Sequence, residues 1–97
     1  MAIVVIQQFS NGTLEQYTSV TEQLKLGGNS PKGNLFHVAG MADDGLRVVE
    51  VWESESALHS FLSILGPITQ SMGMTPPEVK VFPVHNILTP EGYNIVF

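Results

Sequence analysis

The chain predicts an α+β fold with two helices on one face of a four-stranded antiparallel sheet. Three observations carry that prediction. Apolar spacing alternates between the strand period of two and the helical period of about 3.6 in the order strand, helix, strand, strand, helix, strand. The two central strand patterns, in "NLFHVAGMADDGLRVVEVWES" (residues 34–54), are joined by only a short acidic turn, which demands antiparallel pairing. Each helical pattern is opened by a capping residue and closed by glycine or proline.

The first strand is read at Ile3 to Ile6, a β-branched run that ends before the turn "SNG". "TLEQ", Thr13 to Gln16, has the spacing of a capping box, and Leu14, Tyr17, Val20 and Leu24 then recur on one helical face. "GGNSPKG", Gly27 to Gly33, stops that helix. The hairpin follows. Ser54 then caps the second helix, with Glu55 in its first turn where the helix dipole favours negative charge. Ala57, Leu58, Phe61, Leu62 and Leu65 form its apolar stripe, and Gly66-Pro67 is expected to break or kink it at its end. Pro76-Pro77 resets the chain before a last strand in "EVKVFPVHN", whose Pro83 places it near an edge or a bulge.

This order is the split βαβ unit of ferredoxin-like folds. The strands are apolar on both alternations, Ile3 and Val5 as well as Val4 and Ile6, and Val48 as well as Val49 and Val51. Two helices cannot cover both faces, and wet apolar surface forgoes about 25 cal/mol per Å². The sequence therefore predicts a homodimer in which two sheets pack face to face. The tail "ILTPEGYNIVF", residues 87–97, carries Tyr93, Ile95, Val96 and Phe97 and is expected to dock, across the dimer if one forms.

Composition sets the function classes. With 97 residues, 43% hydrophobic and 13% charged, the chain reads as a single domain with its core in residues 2–86. Nine acidic residues against four basic ones give a net charge of −5, and Lys25, Lys32, Arg47 and Lys80 are scattered, so neither nucleic acid nor an anionic membrane surface is an expected partner. The absence of cysteine removes disulfides, thiolate catalysis and cysteine-ligated zinc. "MAIVVIQQ" lacks the basic flank and length of a signal peptide or span, so the protein is expected in the cytoplasm, where the glycosylation match "NGT" at Asn11 to Thr13 is idle.

Strand parity points to a site in the hairpin. His37 shares a face with Leu35 and Ala39 on one strand, and Glu50 with Leu46, Val48 and Trp52 on the next. A turn of Asp43-Asp44, or a four-residue loop Ala42 to Gly45, sets His37 opposite Glu50. A turn of Asp44-Gly45 sets it opposite Trp52, and a three-residue loop breaks the pairing. A histidine beside a carboxylate in a partly apolar cleft is oriented for general acid–base work; at a sheet margin the same pair is a cross-strand contact of less than about 1 kcal/mol.

Trp52 offers a flat ligand wall or fills the core, and Tyr17 either packs in the first helix's stripe or turns its hydroxyl into a cleft between helix and sheet. One of Gln7 and Gln8 must face inward, where its amide needs partners. His59 lies off the second helix's stripe and is expected in solvent, and His85 follows Pro83 and Val84 near the last strand's end. The three histidines lack metal-ligand spacing, and no phosphate loop or nucleophile elbow appears, so neither a metal nor a cofactor is predicted.

The element order, length and "HVAG…VVEVWES…A…F" resemble the dimeric α/β-barrel superfamily that includes antibiotic-biosynthesis monooxygenase-like proteins, over about residues 2 to 86, and most closely its small bacterial members of unassigned reaction. Relatives in that superfamily include cofactor-free oxygenases, haem-degrading enzymes, lactone isomerases and proteins of unknown activity, so the resemblance implies a fold more than a chemistry. It does not extend to the haem-degrading branch, which uses a first-strand asparagine, a tryptophan in the second helix and a histidine near that helix's end; here glutamines, Phe61 and Ser71 stand at comparable places. Two readings follow. One is a small monooxygenase-like enzyme acting on a hydrophobic cyclic molecule, with His37 handling the proton, Glu50 orienting it, and Trp52 and Tyr17 as ligand walls. The other is a non-catalytic homodimeric module that binds a small hydrophobic ligand or another protein.

Overall fold

The computed structural model describes residues 1–90 and the backbone of residues 94–96. Its elements are β1 (Ile3–Ser10), α1 (Leu14–Leu24), β2 (Asn34–Ala42), β3 (Gly45–Trp52), α2 (Glu55–Ser71), β4 (Glu78–Pro83), β5 (Asn86–Leu88) and β6 (Asn94–Val96). The first four strands form one antiparallel sheet in the order β2-β3-β1-β4, the ferredoxin-like arrangement expected. β5 and β6 pair separately as a small hairpin.

Each helix starts where its cap dictates. Thr13 Oγ1 accepts from the Gln16 amide at 3.1 Å while Gln16 Oε1 accepts from the Thr13 amide at 3.0 Å, so the first turn of α1 is held from both sides. Ser54 Oγ accepts from the Ala57 amide at 3.0 Å at the start of α2.

Alternation along β1 sorts its side chains: Ile3, Val5, Gln7 and Phe9 are buried beneath the helices, and Val4, Ile6 and Gln8 face the other way. The β1–β3 register then places Trp52, Glu50, Val48 and Leu46 on the helix side. Two apolar clusters result. Ile3, Val5, Trp52 and Leu58 pack with Ala57 and Phe61 at one end, and Phe9, Leu46 and Val48 pack with Tyr17, Ala39 and Met74 at the other. Between them lies the polar patch described below.

Among the described residues the opposite face of the sheet is covered at one end, where Ala2, Val51 and Val84 pack with Val4 and with Ile87 of β5. Elsewhere no described residue closes it, with Phe36, Val38 and Phe82 at 52%, 47% and 45% exposure. Of the expected tail, Tyr93 and Phe97 lie outside the described residues, as do the side chains of Ile95 and Val96.

Four local expectations are revised. β1 runs on to Ser10 rather than stopping at Ile6, because Gln7 and Phe9 continue the buried alternation. The helix α2 continues through Gly66-Pro67 to Ser71. The carbonyl that Pro67 leaves without its usual donor belongs to Ser63, which is exposed, so water can serve it. A bulge between Asn34 and Phe36 takes Leu35 out of register, so Asn34 rather than Leu35 shares the helix-side face with His37. Finally, the tail contributes strands β5 and β6, which no sequence pattern announced.

Candidate functional site

The site is built on one row of side chains crossing the sheet. The two-residue turn Asp43-Asp44 pairs Ala42 with Gly45 and so sets His37 directly opposite Glu50, which in turn is opposite Val5. Gly45 makes the turn possible: its φ is +139°, and any Cβ there would collide with the carbonyl oxygen of Phe9. The hairpin is thus seated against the end of β1, where the Asn11 amide donates to the Asp44 carbonyl at 3.0 Å.

Glu50 is 3% exposed in the middle of the sheet and gathers three donors. His37 Nδ1 lies 2.8 Å from Oε2, Asn34 Nδ2 donates to the same oxygen at 3.1 Å, and Gln7 Nε2 makes a long contact of 3.5 Å to Oε1. A carboxylate can only accept, so the proton of a neutral His37 ring sits on Nδ1 and Nε2 is left as an acceptor. Tyr17 reaches down from α1 with its Oη 2.6 Å from that Nε2, and the two rings lie tilted at 30° with centroids 5.8 Å apart. The capping box at Thr13 and Gln16 fixes where this happens, because Tyr17 lies one turn into the helix it nucleates.

The arrangement is a hydroxyl, an imidazole and a carboxylate in a line, Tyr17 to His37 to Glu50. Burial, and then the negative charge of Glu50, push the Tyr17 hydroxyl above its ordinary range. Tyr17 therefore holds its proton at rest. The His37 side chain is 30% exposed, so the line is reachable from outside.

A cleft of about 720 Å³ opens above this row, between the sheet and the two helices, with Gln7, Tyr17, His37 and Glu50 among the residues that line it. Its volume falls in the range that takes a small organic ligand. Among the described residues, no group of three or more His, Cys, Asp or Glu is placed to hold a metal ion. No helix among them is long and apolar enough to cross a membrane.

The structure thus brings together His37, Glu50 and Tyr17, and of the glutamine pair it is Gln7 that faces inward. Trp52 is not brought to the cleft. It is 0% exposed, packed against Phe61 with ring centroids 5.2 Å apart, and it is a core residue in place of the expected ligand wall. Its indole Nε1 has no hydrogen-bond partner, nor has Asn34 Oδ1, the acceptor of the residue directly opposite. His59 and His85 are both exposed and away from the cleft lining. Sequence reasoning passed over Asn34, because strand parity puts it on the wrong face unless the bulge at Leu35 is known.

No family model matches the chain, and no curated protein matches it. Solved structures do. A candidate antibiotic biosynthesis monooxygenase from Chloroflexus aurantiacus J-10-fl is 18% identical, with a TM-score of 0.60 over 87% of this chain and 93% of that one. A conserved protein from Methanosarcina mazei Go1 is 13% identical, with a TM-score of 0.65 over 86% of this chain and 92% of that one. SnoaB, a cofactor-independent oxygenase from Streptomyces nogalater, is 17% identical, with a TM-score of 0.60 over 90% of this chain and 95% of that one. At such identities the likeness is one of fold, and the chain shares its ferredoxin-like fold with antibiotic-biosynthesis monooxygenase-like proteins.

Proposed function

We propose that the protein is a small acid–base enzyme of the cofactor-independent oxygenase type, acting in the cytoplasm on a hydrophobic cyclic molecule held in the cleft. The observation that carries this reading is the line Tyr17, His37, Glu50 at the cleft floor, with contacts of 2.6 and 2.8 Å. Tyr17 Oη takes a proton from an acidic position of the bound ring as its own proton passes to His37 Nε2, and Glu50 stabilises the imidazolium that forms. The ring, now an enolate or phenolate, is electron-rich enough to react with dioxygen. For a ring CH₂ group the balance closes without a cofactor: carbon gains one oxygen atom, and the second leaves as water with the two hydrogens.

We also propose that two copies associate through the open sheet face. The support is the run of exposed apolar side chains on that face, Phe36, Val38 and Phe82 among them, which a single copy leaves uncovered.

The catalytic reading is tested by hydrogen–deuterium exchange at the acidic ring C–H of 1-tetralone, followed by NMR in heavy water. The wild type is expected to accelerate exchange over buffer, and Tyr17→Phe or His37→Gln to lose about a hundredfold of that acceleration or more. A wild type no faster than buffer would overturn it in favour of a non-catalytic binding module.

A further inference from the structure

Most of the polar side chains inside the cleft have already spent their protons on the protein. Tyr17 faces His37 Nε2 at 2.6 Å. Thr21 Oγ1 donates to the Thr18 carbonyl at 2.9 Å, and Thr69 Oγ1 to the Gly66 carbonyl at 3.1 Å. Gln7 has no choice of amide orientation beside Glu50: the carboxylate accepts from Nε2, and the carbonyl oxygen Oε1 is turned away from it. These four side chains come from β1, α1 and α2; each is left with acceptor lone pairs, and among them only the second N–H of the Gln7 amide remains as a donor. Both ring nitrogens of His37 are engaged as well, one by Tyr17 and one by Glu50.

The other side chains on the lining that carry free donors, Lys25, Asn29 and Ser30, are all exposed and sit on the connection between α1 and β2. The interior of the cleft therefore offers more acceptors than donors, over a buried carboxylate, in a protein of net charge −5. An anion placed there meets lone pairs and negative charge. An apolar molecule without a donor leaves the acceptors dry. A molecule that brings an O–H or N–H satisfies them.

We infer that the cleft selects an uncharged, largely apolar ligand carrying its own hydrogen-bond donor, rejects carboxylates of the same shape, and reads that donor through Gln7. The inference rests on the cleft being the ligand site, as proposed above, and adds the polarity of what enters it. It also gives Gln7 a role distinct from the proton line: it sits beside Glu50 without being part of the Tyr17–His37 contact, so it acts on which ligand binds.

The test is a binding series on the full chain at neutral pH, followed by ¹H–¹⁵N NMR shifts of cleft residues, with 4-propylphenol, its methyl ether 4-propylanisole, and 4-propylbenzoate. The phenol is expected to bind about tenfold more tightly than the ether, with the benzoate weakest of the three. In Gln7→Met the gap between phenol and ether is expected to shrink to roughly threefold or less with binding of the ether unchanged. Should that variant fail to fold, Gln7→Leu in a background of added osmolyte provides the same comparison. Equal binding of phenol and ether, benzoate binding as tight as phenol, or no cleft shifts with any of the three would each overturn the inference. A preserved preference without exchange catalysis would defeat the enzymatic reading alone, and catalysis without the preference would defeat this one alone.

Discussion

His37 and Glu50 face each other across β2 and β3 with Nδ1 2.8 Å from Oε2, yet their surroundings differ sharply: the Glu50 side chain is 4% exposed and that of His37 is 30%. The carboxylate is the member that depends on its partner. Removing His37 strips a buried charge of its shortest contact, whereas neutralising Glu50 leaves an imidazole that water can reach. His37→Ala is therefore expected to cost more stability than Glu50→Gln, by about 1–3 kcal/mol. Urea unfolding of the two variants measures the difference.

Tyr17 makes the fold sensitive to alkali. Its hydroxyl is held above the ordinary value of about 10 by burial and by Glu50. Above that pH the unfolded chain loses the proton while the folded chain keeps it, so stability present at lower pH is lost as pH rises from the unfolded value through the folded one. The expected result is an alkaline loss of stability that Tyr17→Phe lacks. In Glu50→Gln the Tyr17 hydroxyl should ionise at lower pH than in the wild type, which ultraviolet titration of the chain's two tyrosines, Tyr17 and Tyr93, would read.

Trp52 holds the other end of the sheet to α2. Its ring is fully buried with Ile3, Val5 and Leu58 and stacks on Phe61, so Trp52→Ala opens a large cavity. The expected cost is about 3–5 kcal/mol in denaturant unfolding.

The open sheet face predicts association. Val38 is 47% exposed beside Phe36, on the strand face away from the helices. The wild type is expected to sediment as a dimer, and Val38→Asp as a monomer with a lower thermal midpoint, because a carboxylate cannot be buried there unpaired. A monomeric wild type at micromolar concentration would contradict the proposed pairing.

Much of this was legible in the chain, and the exceptions have physical reasons. Parity with a two-residue acidic turn puts His37 opposite Glu50, since the side-chain period of a strand is fixed. Parity names a face and not a depth, which is why Trp52, on the same face as Glu50, could be read as a ligand wall. Leu58 and Phe61 of α2 close over it, and that roof depends on how the helix crosses the sheet. Asn34 was hidden by the bulge at Leu35, which flips the parity of every residue before it and carries no sequence mark here. Tyr17 was visible as part of an apolar stripe, but that its hydroxyl reaches His37 depends on the separation of α1 from β2. Gly66-Pro67 suggested an end to α2 that an exposed turn does not require.

The central claim is the direction of the proton line from Tyr17 through His37 to Glu50, and the tautomer of His37 tests it most directly. Long-range ¹H–¹⁵N correlation spectra of the imidazole rings, recorded above the pH at which they are protonated, distinguish a proton on Nδ1 from one on Nε2. The account predicts that neutral His37 carries its proton on Nδ1 in the wild type and loses that preference in Glu50→Gln. A proton on Nε2 in the wild type would mean that His37 donates to Tyr17 instead of accepting from it, and would contradict the proposed direction of transfer.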